Sequence, residues 1–258
     1  MKIVVLVKHV PDSPADTGFN ADLTANRAGD NKLSELDEYA VEQALQLAEK
    51  IDGTEVTYLT MGPEAATEAL RKALSMGGDA GAHVVDEALH GSDVFATSLV
   101  LAEALKKLEW DLVITGMTST DAGVGVVPTL LAERLGVPAA TLAGNLVVDG
   151  ATVTIRRDSD DASRTVTANL PAIVSVTDQT GEARYPSFKG IMAAKKKPIT
   201  TFTLADLGVD PTAVGLATAW TGVESATKRP PRAAGVIVTD EGDGGSKLAE
   251  FLAAGKFI

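Results

Sequence analysis

The chain has 258 residues, 45% of them hydrophobic, and no cysteine, so disulfides, cysteine-ligated iron–sulfur clusters and thiolate metal sites are excluded. Its 35 acidic residues against 23 basic ones give a net charge of −12, which argues against a general nucleic-acid binder and fits charge-steered docking to a protein. The three histidines (His9, His83, His90) are scattered, so no metal site is expected, and the apolar run at residues 1–10 is far too short to span a membrane. A soluble, cytoplasmic protein with no membrane insertion is the resulting expectation.

Lys2 to Val7 is a near-continuous β-branched run, the pattern of a strand buried on both faces. Residues 11–32 are polar and rich in Asp, Asn and Gly, which predicts a long loop. Ser34 is the expected N-cap of a helix carrying Leu36, Ala40, Val41, Ala44, Leu45 and Ala48 at helical spacing. Val56 to Thr60 reads as a second strand, followed by a helix over about 64–75 that stops at Gly77-Gly78. Ala82 to Val85 is a third strand, and Ser92 is expected to cap a helix running to about Lys107. Asp111 to Ile114 is a fourth strand, and Thr129 to Leu135 a helix ending at Gly136. Repeated strand–helix alternation predicts an α/β fold with a doubly wound, mostly parallel sheet and flanking helices, of the Rossmann-like kind that binds adenine nucleotides. Residues 145–157 and 163–168 then read as a hairpin pair, and 170–176 as another buried strand. Residues 206–234 show no period and carry Pro211, Pro230 and Pro231. The chain is therefore divided into a nucleotide-binding domain at 1–200 and an extended partner-wrapping arm at 201–258, with a short strand at 235–238 and a last helix at 246–254.

Between the fourth strand and its helix lies TGMTSTDAGVGVVP, Thr115 to Pro128. In open α/β sheets, ligands sit beyond the carboxyl ends of the strands, near the point where strand order reverses. Gly123 and Gly125 let the backbone approach an oxygen closely, and the helix behind them offers free N–H groups and a positive dipole end. Thr118, Ser119 and Thr120 add hydroxyls, while Asp121 would organise the turn or accept from a ribose or amide. Such a turn can hold a phosphate without a cation of its own, but glycine-rich turns after parallel strands are often only turns.

Several segments in order carry a resemblance. They are the opening Lys2 to Asp12, ALSMGGDAGAHVV (Ala73 to Val85), the glycine-rich turn, ARYPSFKGIMAAKKKPI (Ala183 to Ile199) and RPPRAAGVIV (Arg229 to Val238). Together the chain resembles the β subunit of electron-transfer flavoproteins over nearly its whole length. The resemblance implies a heterodimer with an α subunit that holds most of an FAD. It would accept electrons from flavin dehydrogenases such as acyl-CoA dehydrogenases and pass them to a quinone reductase-type acceptor. It also implies an AMP thought to be structural, or a second FAD in bifurcating relatives. Carried over by position, the AMP pocket falls on His9 (through its backbone), Ser34, Glu35, Leu36, Asp37, Met61, Gly116, Thr118, Ser119, Thr120, Asp121, Ala122, Gly123, Val124, Gly125, Val126 and Val127. The family often has Asn-Pro where Ser34-Glu35 stand, and an acidic cluster followed by Asn-Gln-Thr over Ala122 to Val127. Phosphate capture here would thus rest mainly on main-chain N–H groups and hydroxyls.

Residues 184–197 carry Arg184, Lys189, Lys195, Lys196 and Lys197 with no acid among them. A solvated charged turn would explain that much. The resemblance makes residues 183–198 the loop that docks flavin dehydrogenases, through Tyr185, Phe188, Lys189, Ile191, Met192, Lys195, Lys196 and Lys197. Phe188 stands where the family usually inserts a leucine; Ile191 and Met192 read as packing rather than contact residues.

Two other readings compete. A stand-alone adenine-nucleotide sensor explains residues 1–138 but not the cationic segment or the arm. A nicotinamide dehydrogenase would need GxGxxG after strand one, where Lys8-His9-Val10-Pro11-Asp12 stands instead. A role for His9 as general acid is weaker than one as a turn residue. Without paired carboxylates or a nucleophile with its base, the chain is expected to be an electron carrier rather than an enzyme, its redox chemistry belonging to the flavin.

Overall fold

A computed structural model describes residues 1–12, 18–227, 230 and 234–258. In chain order the elements are β1 Lys2–Leu6, β2 His9–Pro11, β3 Asn31–Leu33, α1 Glu35–Lys50, β4 Glu55–Met61, α2 Thr67–Met76, β5 Ala80–Val84, α3 Val94–Lys106, β6 Leu112–Gly116 and α4 Val127–Leu135. There follow β7 Ala139–Ala143, β8 Asn145–Asp149, β9 Thr152–Asp158, β10 Ser163–Asn169, β11 Ala172–Val176, α5 Phe188–Ala194, β12 Ile199–Phe202, α6 Leu204–Leu207 and α7 Gly244–Ala254.

The central sheet has seven strands in the order β12-β5-β4-β1-β6-β11-β7, all paired in parallel. This is the expected doubly wound α/β architecture. From β1 the chain winds outward through β4 and β5, then returns to place β6 on the other side of β1. The order reverses between β1 and β6, and the carboxyl ends of these two strands mark the switch point at which open α/β sheets place their ligands.

The strand pattern explains why both faces are covered. Ile3, Val5 and Val7 enter one core with α1, α2 and inward residues of β8–β10, while Val4 and Leu6 enter the other with α3, α4 and α6. Successive side chains of a strand point to opposite faces, so one β-branched run feeds two cores. The expected hairpin pair is present as the antiparallel sheet β10-β9-β8.

Several expectations change. The ends of the predicted 11–32 loop form the antiparallel ribbon β2–β3; its residues 13–17 lie outside the described residues. β7 had no signal beyond an alanine pair. Ser34 stands before α1 but its hydroxyl caps nothing, and Asp93 rather than Ser92 caps α3, accepting from Phe95 N–H and Ala96 N–H at 2.9 and 3.0 Å. The Ser92 hydroxyl accepts from Gly215 N–H instead. The segment after 200 is better packed than its composition suggests: β12 pairs with β5, and Leu204, Leu207, Val209 and Val214 are buried.

One compact unit covers Met1–Glu224 and a second covers Ser225–Ile258. In the second, α7 has no buried residue, and no strand forms at residues 235–238, where Val236 and Ile237 are almost fully exposed. Residues 228–229 and 231–233 of the expected arm lie outside the described residues.

Candidate functional site

Beyond β1, the Lys8 N–H donates to Asp37 Oδ2 at 2.8 Å and the Lys8 carbonyl accepts from Ser34 N–H at 2.9 Å. The N–H of Gly116, the last residue of β6, lies close enough to the Asp37 carboxylate to favour its charged form. Asp37 therefore ties the end of β1 to the first turn of α1, beside the end of β6. A Cβ at Gly116 would lie 2.7 Å from both Asp37 Oδ1 and the Leu36 carbonyl oxygen, so a close approach requires glycine here.

Burial pushes the Asp37 carboxyl up to about 7, against the two N–H groups and the nearby Lys8 charge. A carboxyl raised in the folded state stabilises the fold below its unfolded pKa and loses that contribution as pH rises through the folded value. Between pH 5 and 8 the expected loss is roughly 2–3 kcal/mol. The measurement is urea unfolding of wild type and Asp37→Asn across that range. The difference between the two curves should slope with pH; a flat difference removes Asp37 as the source.

The glycine-rich turn is organised by a cluster that its own sequence does not contain. Asp121, almost buried, accepts from Lys8 Nζ at 2.8 Å and Arg27 Nη2 at 2.5 Å. Burial alone would raise its carboxyl, but the two cations hold it well below the usual range. Arg27 also donates to the His9 carbonyl at 2.9 Å, and Lys8 Nζ to Ser119 Oγ at 3.3 Å. Asp121 is thus the counter-ion of two cations as well as a turn former. Lys8 stands just past the first strand, where a ligand site of such a sheet is expected, but nothing local pairs it with Asp121, and Arg27 lies in a polar loop that gives no signal of its own.

Gly123 and Gly125 adopt positive φ, at 66° and 69°, carrying the chain into α4. That helix starts at Val127 with Pro128 in its first turn and no side-chain cap, leaving its first N–H groups free. The hydroxyls of Ser34, Thr118 and Thr60 and the His9 Nε2 are buried without a hydrogen-bond partner. His9 lies in β2, its ring held below its ordinary pKa by burial, with Nε2 3.8 Å from Glu68. Asn31 Oδ1 and the Tyr58 hydroxyl are unpaired as well; buried polar groups are nearly always paired, and Ser34 before α1 and Thr118 after β6 stand on the elements that follow the two switch-point strands, where a polar ligand could meet them.

Of the other expected residues, Met61 ends β4 and packs against the α3 side of the sheet. Glu35 turns away to pair with Lys32 at 2.7 Å. Thr120, Ala122, Val124 and Val126 are exposed along the turn, with Val127 half-buried as α4 begins.

The cationic segment forms a separate surface. Its middle is a helix, α5, capped by Ser187 Oγ accepting from Gly190 N–H at 3.0 Å. Tyr185 is 94% exposed, Phe188 81%, Ile191 44% and Met192 48%. Ile191 and Met192 are thus surface residues, contrary to the packing role expected of them; with Phe188 they occupy i, i+3 and i+4 and form one apolar stripe. Arg184 and Lys197 are not free charges. Arg184 pairs with Glu42 and Glu49, and Lys197 Nζ donates to the Leu74 and Gly77 carbonyls at the end of α2. Lys189, Lys195 and Lys196 remain exposed.

Among the described residues, no cluster of His, Cys, Asp and Glu could hold a metal ion, and no helix is long and apolar enough to cross a membrane.

Residues 22–207 match the family described as Electron transfer flavoprotein domain. The chain is 49% identical to the Electron transfer flavoprotein subunit beta of Mycobacterium leprae (strain TN), with 99% of each chain covered. It is 32% identical to the subunit of the same description from Megasphaera elsdenii, with 94% of this chain and 93% of that one covered. To the Caffeyl-CoA reductase-Etf complex subunit CarD of Acetobacterium woodii it is 33% identical, covering 93% and 92%. With this match over most of its length and these relatives end to end, the chain belongs to the electron transfer flavoprotein family, among its β subunits.

Proposed function

We propose that the chain pairs with an α subunit holding most of an FAD, and that the heterodimer works in the cytoplasm. It would take electrons from flavin dehydrogenases, such as acyl-CoA dehydrogenases, and yield them to a quinone reductase-type acceptor. The switch point beyond β1 and β6 would hold an AMP. Bound FAD supplies the redox chemistry. This chain supplies position: a docking helix with an exposed apolar stripe, and a coreless segment at 225–258 suited to lie against a partner.

The observation that carries the nucleotide reading is the set of unpaired buried groups, Ser34 Oγ and Thr118 Oγ1 foremost, together with the uncapped start of α4. Helix N–H groups from Gly125 onward would take phosphate oxygens. Lys8 and Arg27 would lower the cost of gathering negative charge there, with Asp121 keeping them apart and fixed. A stand-alone sensor accounts for the switch-point groups but leaves the apolar residues of 225–258 without purpose.

Mass spectrometry of ligands released from the denatured heterodimer tests this. One FAD and one AMP are expected. Two FAD would make the β site that of a bifurcating relative, and a heterodimer with no AMP would overturn the pocket assignment.

A further inference from the structure

The docking helix α5 has seven residues, far below the roughly 12–15 at which an isolated helix holds itself together. Its flanks say what holds it. Before the helix, Arg184 makes a fork with Glu42 of α1, Nε to Oε2 at 2.8 Å and Nη2 to Oε1 at 3.0 Å. Its main-chain N–H donates to Glu42 as well, at 3.1 Å, and Nη1 reaches Glu49, about two turns further along the same face of α1. The Glu42 carboxylate is buried, so the pair is placed where water competes least.

In the middle of the helix, Gly190 lies against the Ser75 carbonyl of α2, where any Cβ would overlap the oxygen. At the end, Arg71 of α2 donates through Nη1 to the carbonyls of Ala194 and Lys197, at 2.5 and 2.9 Å. The first is among the carbonyls that a helix end leaves without partners, and the second lies in the turn between α5 and β12. Lys197 returns the contact by capping α2. The segment is thus fixed at its start, middle and end, and each tie faces inward.

We infer that Arg184 and Arg71 are positioning residues that hold α5 as a preformed docking face. The inference rests on the reading of α5 as the surface that meets flavin dehydrogenases, and adds how that surface is kept ready. Neither arginine need touch the partner. The partner meets Phe188, Ile191 and Met192 already aligned, with Lys189, Lys195 and Lys196 at the rim. Its complement is an apolar pocket edged with carboxylates. A face that is already ordered spares the encounter the entropy of ordering it, which suits a carrier that must bind and leave quickly.

The test uses the complete heterodimer with Arg184→Met, Arg184→Lys and, in parallel, Phe188→Ala. Two things are measured: amide hydrogen exchange over residues 185–197 without partner, and KM and kcat for reduction by a flavin dehydrogenase. Arg184→Met should speed exchange in that segment by about tenfold or more and raise KM about 5- to 20-fold, with kcat and flavin content within about twofold. Arg184→Lys keeps the charge but loses the fork, and should recover less than half of the KM change. Full recovery by Lys would make Arg184 a charge for steering rather than a brace. If Phe188→Ala raises KM while Arg184→Met leaves KM or exchange unchanged, the positioning role is overturned. If Phe188→Ala itself leaves KM unchanged, the docking reading fails first.

Discussion

Phe188→Ala is expected to raise the KM for a flavin dehydrogenase about 10- to 100-fold while the heterodimer keeps its flavin and its melting temperature. The side chain is 81% exposed in the free chain, so little folding energy depends on it. On docking it would leave water, and full burial of a Phe contributes roughly 1.5–3 kcal/mol, which sets the size of the effect. Neighbouring Ile191 and Met192, about half exposed, would exclude water around it and add less. Stopped-flow reduction of the flavin at varied dehydrogenase concentration gives the number. A KM within twofold of wild type would remove Phe188 as the anchor.

Gly116→Ala is expected to lower the melting temperature by roughly 2–12 °C and, on the proposed nucleotide reading, to reduce the AMP bound by the heterodimer. The added methyl would meet the Leu36 carbonyl and the Asp37 carboxylate at 2.7 Å. Neither can retreat easily: one is main chain in the first turn of α1, the other is buried between two strand ends. Overpacking of this kind costs about 1–3 kcal/mol, and a unit of this size loses about 2–4 °C per kcal/mol. The same displacement would move the start of the glycine-rich turn. Differential scanning calorimetry with ligand mass spectrometry checks both halves. An unchanged melting temperature would mean the strand end and helix can separate freely.

What could be read from the sequence was what depends on local pattern. Lys2 to Val7 announced a strand buried twice over, and the strand–helix alternation announced a parallel, doubly wound sheet. The stripe of Phe188, Ile191 and Met192 stood at helical spacing too, but the lysines around it favoured a loop. What escaped depends on partners distant in sequence. Asp121 meets Lys8 and Arg27 only because the sheet brings β1 beside β6. Asn31–Leu33 forms a ribbon because His9–Pro11 lies opposite, not because its residues favour strands. The reverse error fell at 235–238, where a β-branched run promised a strand that pairs with none of the described residues. Pattern reports what a residue would prefer to bury; only topology reports whether a surface is there.

The coreless segment 225–258 also bears on how the cell must make this protein. It is made after residues 1–224, which form a compact unit of their own, and none of its described apolar side chains is buried. Chaperones and proteases recognise such tails. Chain made in excess of a partner subunit would therefore be the first to meet them.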